Sequence, residues 1–111
     1  MRKDIKELAD AMEKGWKKVP VMYKDYFWTG SRTNPTACCA RGHAGLGYNG
    51  DPEQGNIWGH FEKLLDKQKV TSPNPKNKFN LTLAVAIDAL VLDYNWDTPK
   101  VIKWLRSHQN D

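Results

Sequence analysis

No apolar run in this sequence is long enough to cross a bilayer, which takes about 20 consecutive apolar residues, so membrane-spanning roles are set aside. Cysteine is scarce, with two in 111 residues, and Cys38 and Cys39 are adjacent. Neighbouring cysteines rarely close a disulfide, because the bond demands an unusual peptide geometry between them. They read as reduced thiols, as in a cytoplasmic protein. The opening MRKDIKELADAMEKGW interleaves acids and bases and lacks the apolar centre of a secretory signal. There is no internal repeat. Charge of one sign is not in large excess either: a net +4 suits nucleic acid or an acidic protein surface without demanding either. The expectation is a cytoplasmic protein without a membrane partner.

Tryptophan, by contrast, is plentiful. Trp16, Trp28, Trp58, Trp96 and Trp104 are dense for this length, and each carries a large apolar area plus an indole N–H that wants an acceptor. Most are expected in the core, with one or two left for a binding surface. Apolar spacing predicts an amphipathic helix over 2–18, carried by Ile5, Leu8, Ala9, Met12 and Trp16. VMYKDYFW (21–28) reads as a strand or an extended segment, and TGSRTNPT (29–36) as a loop. Thr36 is a candidate N-cap for a helix starting at Ala37, with Gly45–Gly50 breaking it. Further helices are expected over 57–68, over 81–95 capped by Asn80, and after Asp97 with Pro99 in its first turn. A polar loop spans 70–80. The fold class is mainly α: one domain over 1–111, a compact bundle of four to five helices with at most one short strand pair near 21–30.

The stretch ACCARGHAGLGYNG (37–50) holds the residues closest to chemistry. Cys39 and His43 lie four apart, one helical turn, and together form the candidate thiol or metal pair. A structural zinc site wants four ligands, usually in two spaced pairs, and His60 and His108 have no cysteine near them in sequence. Small buried residues that let another helix come close are the simpler use of Cys38 and Cys39. Gly45-x-Gly47-x-x-Gly50 matches the dinucleotide fingerprint letter for letter. That motif works between a strand and a helix, and neither CCARGHA before it nor the proline turn after it fits. No catalytic residue, metal or cofactor is assigned.

Asp88 is the single acid inside the nearly all-apolar LTLAVAIDALVLDYN. A carboxylate there should accept a bond from a Trp, Tyr or Arg. Lys100, Lys103 and Arg106 recur at helical spacing and form a candidate phosphate-contacting face.

Two segments carry a family resemblance. CARGHA (39–44) resembles the Cys-Ala-Leu-Gly-Ala-Ala segment of a group of small, uncharacterised bacterial and bacteriophage proteins, matching at Cys39, Ala40, Gly42 and Ala44 and departing at Arg41 and His43. WDTPKVIKWL (96–105) is similar to that group's closing Trp-[Ser/Thr]-x-x-x-Ile-Ala-x-Trp-[Leu/Val], matching at Trp96, Ile102, Trp104 and Leu105. There Thr98 stands one place late and Lys103 replaces the usual alanine. The resemblance covers about 16 of 111 residues. It implies a helical fold and a phage or mobile-element setting, and brings no catalytic residues with it.

The leading functional expectation is a non-enzymatic protein that binds a host protein or protein complex, for example to inhibit a defence or transcription component. Its contact residues are expected to be exposed ones beside the loops: Tyr23, Tyr26, Trp28, Arg32, Arg41, His43 and Tyr48. The alternatives are a nucleic-acid-binding module using Lys100, Lys103 and Arg106, and a thiol or metal site at Cys39 and His43.

Overall fold

A computed structural model describes residues 3–71 and 80–108, apart from the side chains of residues 54–56, 58 and 80. Residues 72–79 of the expected polar loop and the Trp58 side chain therefore lie outside the described residues. The first helix, α1 (Lys3–Lys18), forms where its periodicity predicts and buries Ile5, Leu8, Ala9, Ala11, Met12 and Gly15. Asp4 in its first turn and Lys17 and Lys18 in its last suit the two ends of the helix dipole.

After α1 the chain runs extended and lies against Cys38, whose N–H donates to the Val21 carbonyl while its own carbonyl accepts from Tyr23 N–H. The segment expected to be a loop and a helix start is instead a hairpin. β1 (Trp28–Gly30) pairs antiparallel with β2 (Pro35–Cys38). Thr36 is therefore a strand residue, not a cap. Backbone pairing on both sides of Cys38 satisfies groups that a helix starting at Ala37 would have left to itself.

Cys39 takes the capping role, its Sγ accepting from Gly42 N–H at 3.4 Å, and α2 runs Ala40–Asn49. Gly45 and Gly47 sit inside this helix, contrary to their reading as breakers. The chain leaves the helix only at Gly50, whose φ of 85° is the left-handed conformation a C-cap glycine supplies. Residues 40–47 are all buried, so α2 is the central element, with α1 packed along it.

Helix α3 (Gln54–Glu62) bends at Phe61 and continues as one π-helical turn, Lys63–Lys67, which buries Leu64 and Leu65. A second antiparallel pair follows, β3 (Lys69–Thr71) with β4 (Asn80–Thr82). The expectation of at most one strand pair near 21–30 is corrected to two. β4 also takes the first residues of the expected 81–95 helix, so α4 spans Leu83–Leu92 and its cap is Thr82, not Asn80. Finally α5 (Thr98–Ser107) has the expected Asp97 cap and first-turn proline, and buries Val101, Ile102, Trp104 and Leu105.

The fold is mainly α, with five α-helices and two short strand pairs among the described residues. A single apolar cluster joins α1, α2, α3, α4 and α5. Trp104 is buried within it, whereas Trp16, Trp28 and Trp96 are half-buried.

Candidate functional site

Three surface regions hold the residues singled out in the sequence, and α2 relates them. At its N-terminal end an open cleft of about 160 Å³ lies between the extended Lys24–Phe27 segment, the first turn of α2 and the outer side of α4. Arg41 and Asp88 form its floor. The guanidinium donates to the carboxylate in bidentate fashion, Nε to Oδ1 at 2.9 Å and Nη2 to Oδ2 at 2.7 Å. It also lies 4.9 Å from the Phe27 ring centroid, over the face of the ring. Asp88 thus accepts from an arginine, as its place in an apolar helix predicts.

The pair is asymmetric: the Arg41 side chain is 9% exposed and that of Asp88 41%. Burial pushes the Asp88 carboxyl above its ordinary value, outweighing the Arg41 charge that pulls it down. Arg41 is therefore a buried floor residue, and its expected exposure is corrected. A planar guanidinium pinned by two bonds and an aromatic face is held in one orientation.

Beside the cleft, the hairpin is clasped to the turn that follows α2. Arg32 Nε and Nη2 donate to the Asp51 carboxylate at 2.8 and 2.5 Å, and Tyr26 Oη donates to Glu53 at 3.2 Å. Trp28 meets Tyr26 edge-on at 6.1 Å between centroids. The structure thus brings Tyr26, Trp28 and Arg32 together. Tyr23 is half-buried and anchored through its backbone.

Tyr48 lies at the other end of α2. It stacks on His60 at 4.7 Å, and His60 Nε2 is 2.6 Å from Glu7 Oε1. It does not share a surface with Arg41: seven residues of helix separate them by about 10 Å of rise.

His43 is fully buried, so its expected exposure is corrected as well. Its Nε2 is 2.7 Å from the Val19 carbonyl and its Nδ1 2.6 Å from Thr98 Oγ1. A carbonyl only accepts, so Nε2 carries the proton, and Nδ1 accepts from the threonine hydroxyl in the neutral ring. Burial holds the imidazole neutral, its pKa brought down to about 4. With both nitrogens engaged, His43 has none to offer Cys39 or a metal. Burial, with the adjacent Cys39, pushes the Cys38 thiol up to about 12, and burial likewise raises Cys39. Among the described residues no group of three or more His, Cys, Asp or Glu side chains lies close enough to hold a metal ion.

Of the basic face on α5, Lys100 and Lys103 are exposed. Lys100 Nζ sits 4.6 Å from the centroid of Trp96. Arg106 reaches across to α1 and donates to Asp10 at 2.9 Å and to Glu13.

What the sequence reading missed is the outer face of α4. Val85 and Leu92 are 52% and 54% exposed, and by helical spacing they share one face with Asp88. Tyr26, 47% exposed, stands on the opposite wall of the cleft. A helix that is apolar all round hides such a stripe, since nothing in its pattern marks which apolar side is left uncovered. No protein family, curated protein or solved structure matches this chain.

Proposed function

We propose that this is a small binding protein whose contact surface is the α4 face and its adjoining cleft, and that its partner is a host protein. The observation that carries the reading is the exposure of Val85 and Leu92 on the Asp88 face of α4, with Leu92 lining the cleft together with Tyr26. Large apolar side chains half out in water beside a concave, partly charged floor are what a partner covers at the centre of an interface. The rigid Arg41–Asp88 pair supplies orientation: one Asp88 edge remains open to solvent and accepts a donor from the partner. The resemblance noted above favours a phage or mobile-element protein acting on a host component.

The test is affinity capture from a bacterial lysate, with nuclease treatment in parallel, using wild type, Val85→Asp/Leu92→Asp and Tyr48→Ala. A nuclease-resistant partner captured by wild type and Tyr48→Ala but lost with the double aspartate variant is the expected result. Retention by a folded double variant sinks the assignment.

A further inference from the structure

Helices α1 and α5 pack against one another and lie antiparallel. Arg106, near the end of α5, holds Asp10 and Glu13 in the middle of α1. Through His43, the Val19 carbonyl just past α1 is joined to Thr98, the first residue of α5. The last turns of α1 therefore run beside the first turns of α5. This register places Lys17, on the same side of α1 as Asp10 and Glu13, beside Lys100 and Lys103, and all three are exposed. Lys14 and Lys18 follow the Ala11–Gly15 side that meets α2. Packed helices sit about 8–10 Å apart, so Lys17, Lys100 and Lys103 form one basic patch drawn from two elements.

The carboxylates of this region are already engaged. Asp10 is held by Lys6 and Arg106, and Glu13 by Arg106 with Lys17 at 3.5 Å. The Asp97 carboxylate caps α5, accepting from Lys100 N–H at 3.0 Å.

We propose that this α1–α5 seam binds the sugar-phosphate backbone of nucleic acid without reading sequence. Two features choose this partner. The exposed large apolar residues lie on other elements, none of them on α1 or α5, so the seam lacks the apolar centre from which protein interfaces draw most of their energy. Nucleic acid needs no such centre, because displaced counterions supply the affinity. The second feature is residue type. Lysine acts as a point charge toward phosphate, whereas a free guanidinium fork reads guanine edges, and Arg106 is turned onto α1. The face read from sequence as Lys100, Lys103 and Arg106 thus becomes one in which Arg106 holds the two helices together and α1 supplies the missing charge.

The experiment is fluorescence anisotropy with a labelled random-sequence DNA duplex. Neutralising roughly three phosphates predicts weakening on the order of fortyfold between about 50 and 200 mM salt. Lys17→Gln/Lys100→Gln/Lys103→Gln should weaken binding at least about tenfold at the lower salt. The charge-matched control Lys63→Gln/Lys67→Gln/Lys69→Gln, on an exposed surface elsewhere, should bind like wild type. So should Val85→Asp/Leu92→Asp, which separates this site from the α4 surface. No binding at the lower salt, an equal loss in the charge-matched control, or polyglutamate binding as tight as DNA binding would each overturn the proposal.

Discussion

Gly47 and Ala11 meet backbone to backbone: a β-carbon on Gly47 would stand 1.7 Å from the Ala11 carbonyl oxygen. Gly15 makes the reciprocal approach from α1, where a β-carbon would lie 1.8 Å from the carbonyl oxygen of His43. Neither obstacle is a flexible side chain, so an added methyl must push the helices apart. Gly47→Ala is expected to destabilise by about 1–3 kcal/mol. Gly59→Ala should do the opposite, since that β-carbon meets nothing within 4 Å in a helical position, and alanine is favoured there by up to about 1 kcal/mol. Urea unfolding followed by tryptophan fluorescence measures both. Equal stability of Gly47→Ala and wild type would mean α1 and α2 are not this close.

The same contact shows where sequence reading reached and where it stopped. The amphipathic stripe of α1 and the Asp97 cap of α5 are local signals, and both helices begin within a residue of where those signals place them. Small residues at 37–47 were legible as a place for close packing. That the glycines remain helical was not, because local propensity counts them as breakers while a partner helix rewards the missing side chain. Arg41 and His43 were expected in solvent for a related reason. Their partners, Asp88 and Thr98, lie 47 and 55 residues away, and only the fold brings them into reach.

The Arg41–Asp88 pair should respond unequally to loss of either side. Asp88→Ala removes the bidentate carboxylate from a guanidinium that is almost fully buried, which is the expensive way to break such a pair. Because Asp88 itself is partly solvated, the expected cost is about 2 kcal/mol rather than the upper range for fully buried pairs. Arg41→Met keeps an apolar stem against Phe27 and leaves a carboxylate that water can reach, so its cost should be smaller, about 1 kcal/mol. Denaturant unfolding of the two single variants and the double variant gives the coupling. A larger loss from Arg41→Met than from Asp88→Ala would contradict the burial asymmetry.

Both thiols should be slow. With its pKa pushed up to about 12 by burial, Cys38 at pH 8 holds roughly a thousandfold less thiolate than a thiol at the ordinary 9.0. Burial also raises the thiol of Cys39, which is tied up in capping α2. Alkylation by iodoacetamide, followed by mass spectrometry, should be slow on the native chain and fast on the urea-unfolded chain for both residues. Rapid modification of Cys39 in the native protein would restore the thiol reading.

His43 ties acid stability to the junction of α1, α2 and α5. Above about pH 6.5 the imidazole is neutral in the folded and the unfolded chain alike, and its contribution is fully present. As pH falls, the unfolded chain takes up a proton that the folded one refuses until about pH 4, so stability drops across that window. The interval from 6.5 to about 4 corresponds to about 3 kcal/mol. The carboxylates shifted in the fold work differently. Asp10 and Asp51, lowered by their basic partners, lose their contribution only below the ordinary 3.8. Asp88, raised by burial, loses stability as pH increases through its own value. His43→Gln isolates the histidine: glutamine still donates to the Val19 carbonyl but does not titrate. Wild type should lose urea resistance steadily from pH 6.5 to 4, and the variant should stay nearly level over the same range. Parallel curves would show that the imidazole is already protonated, or already solvated, inside the folded protein.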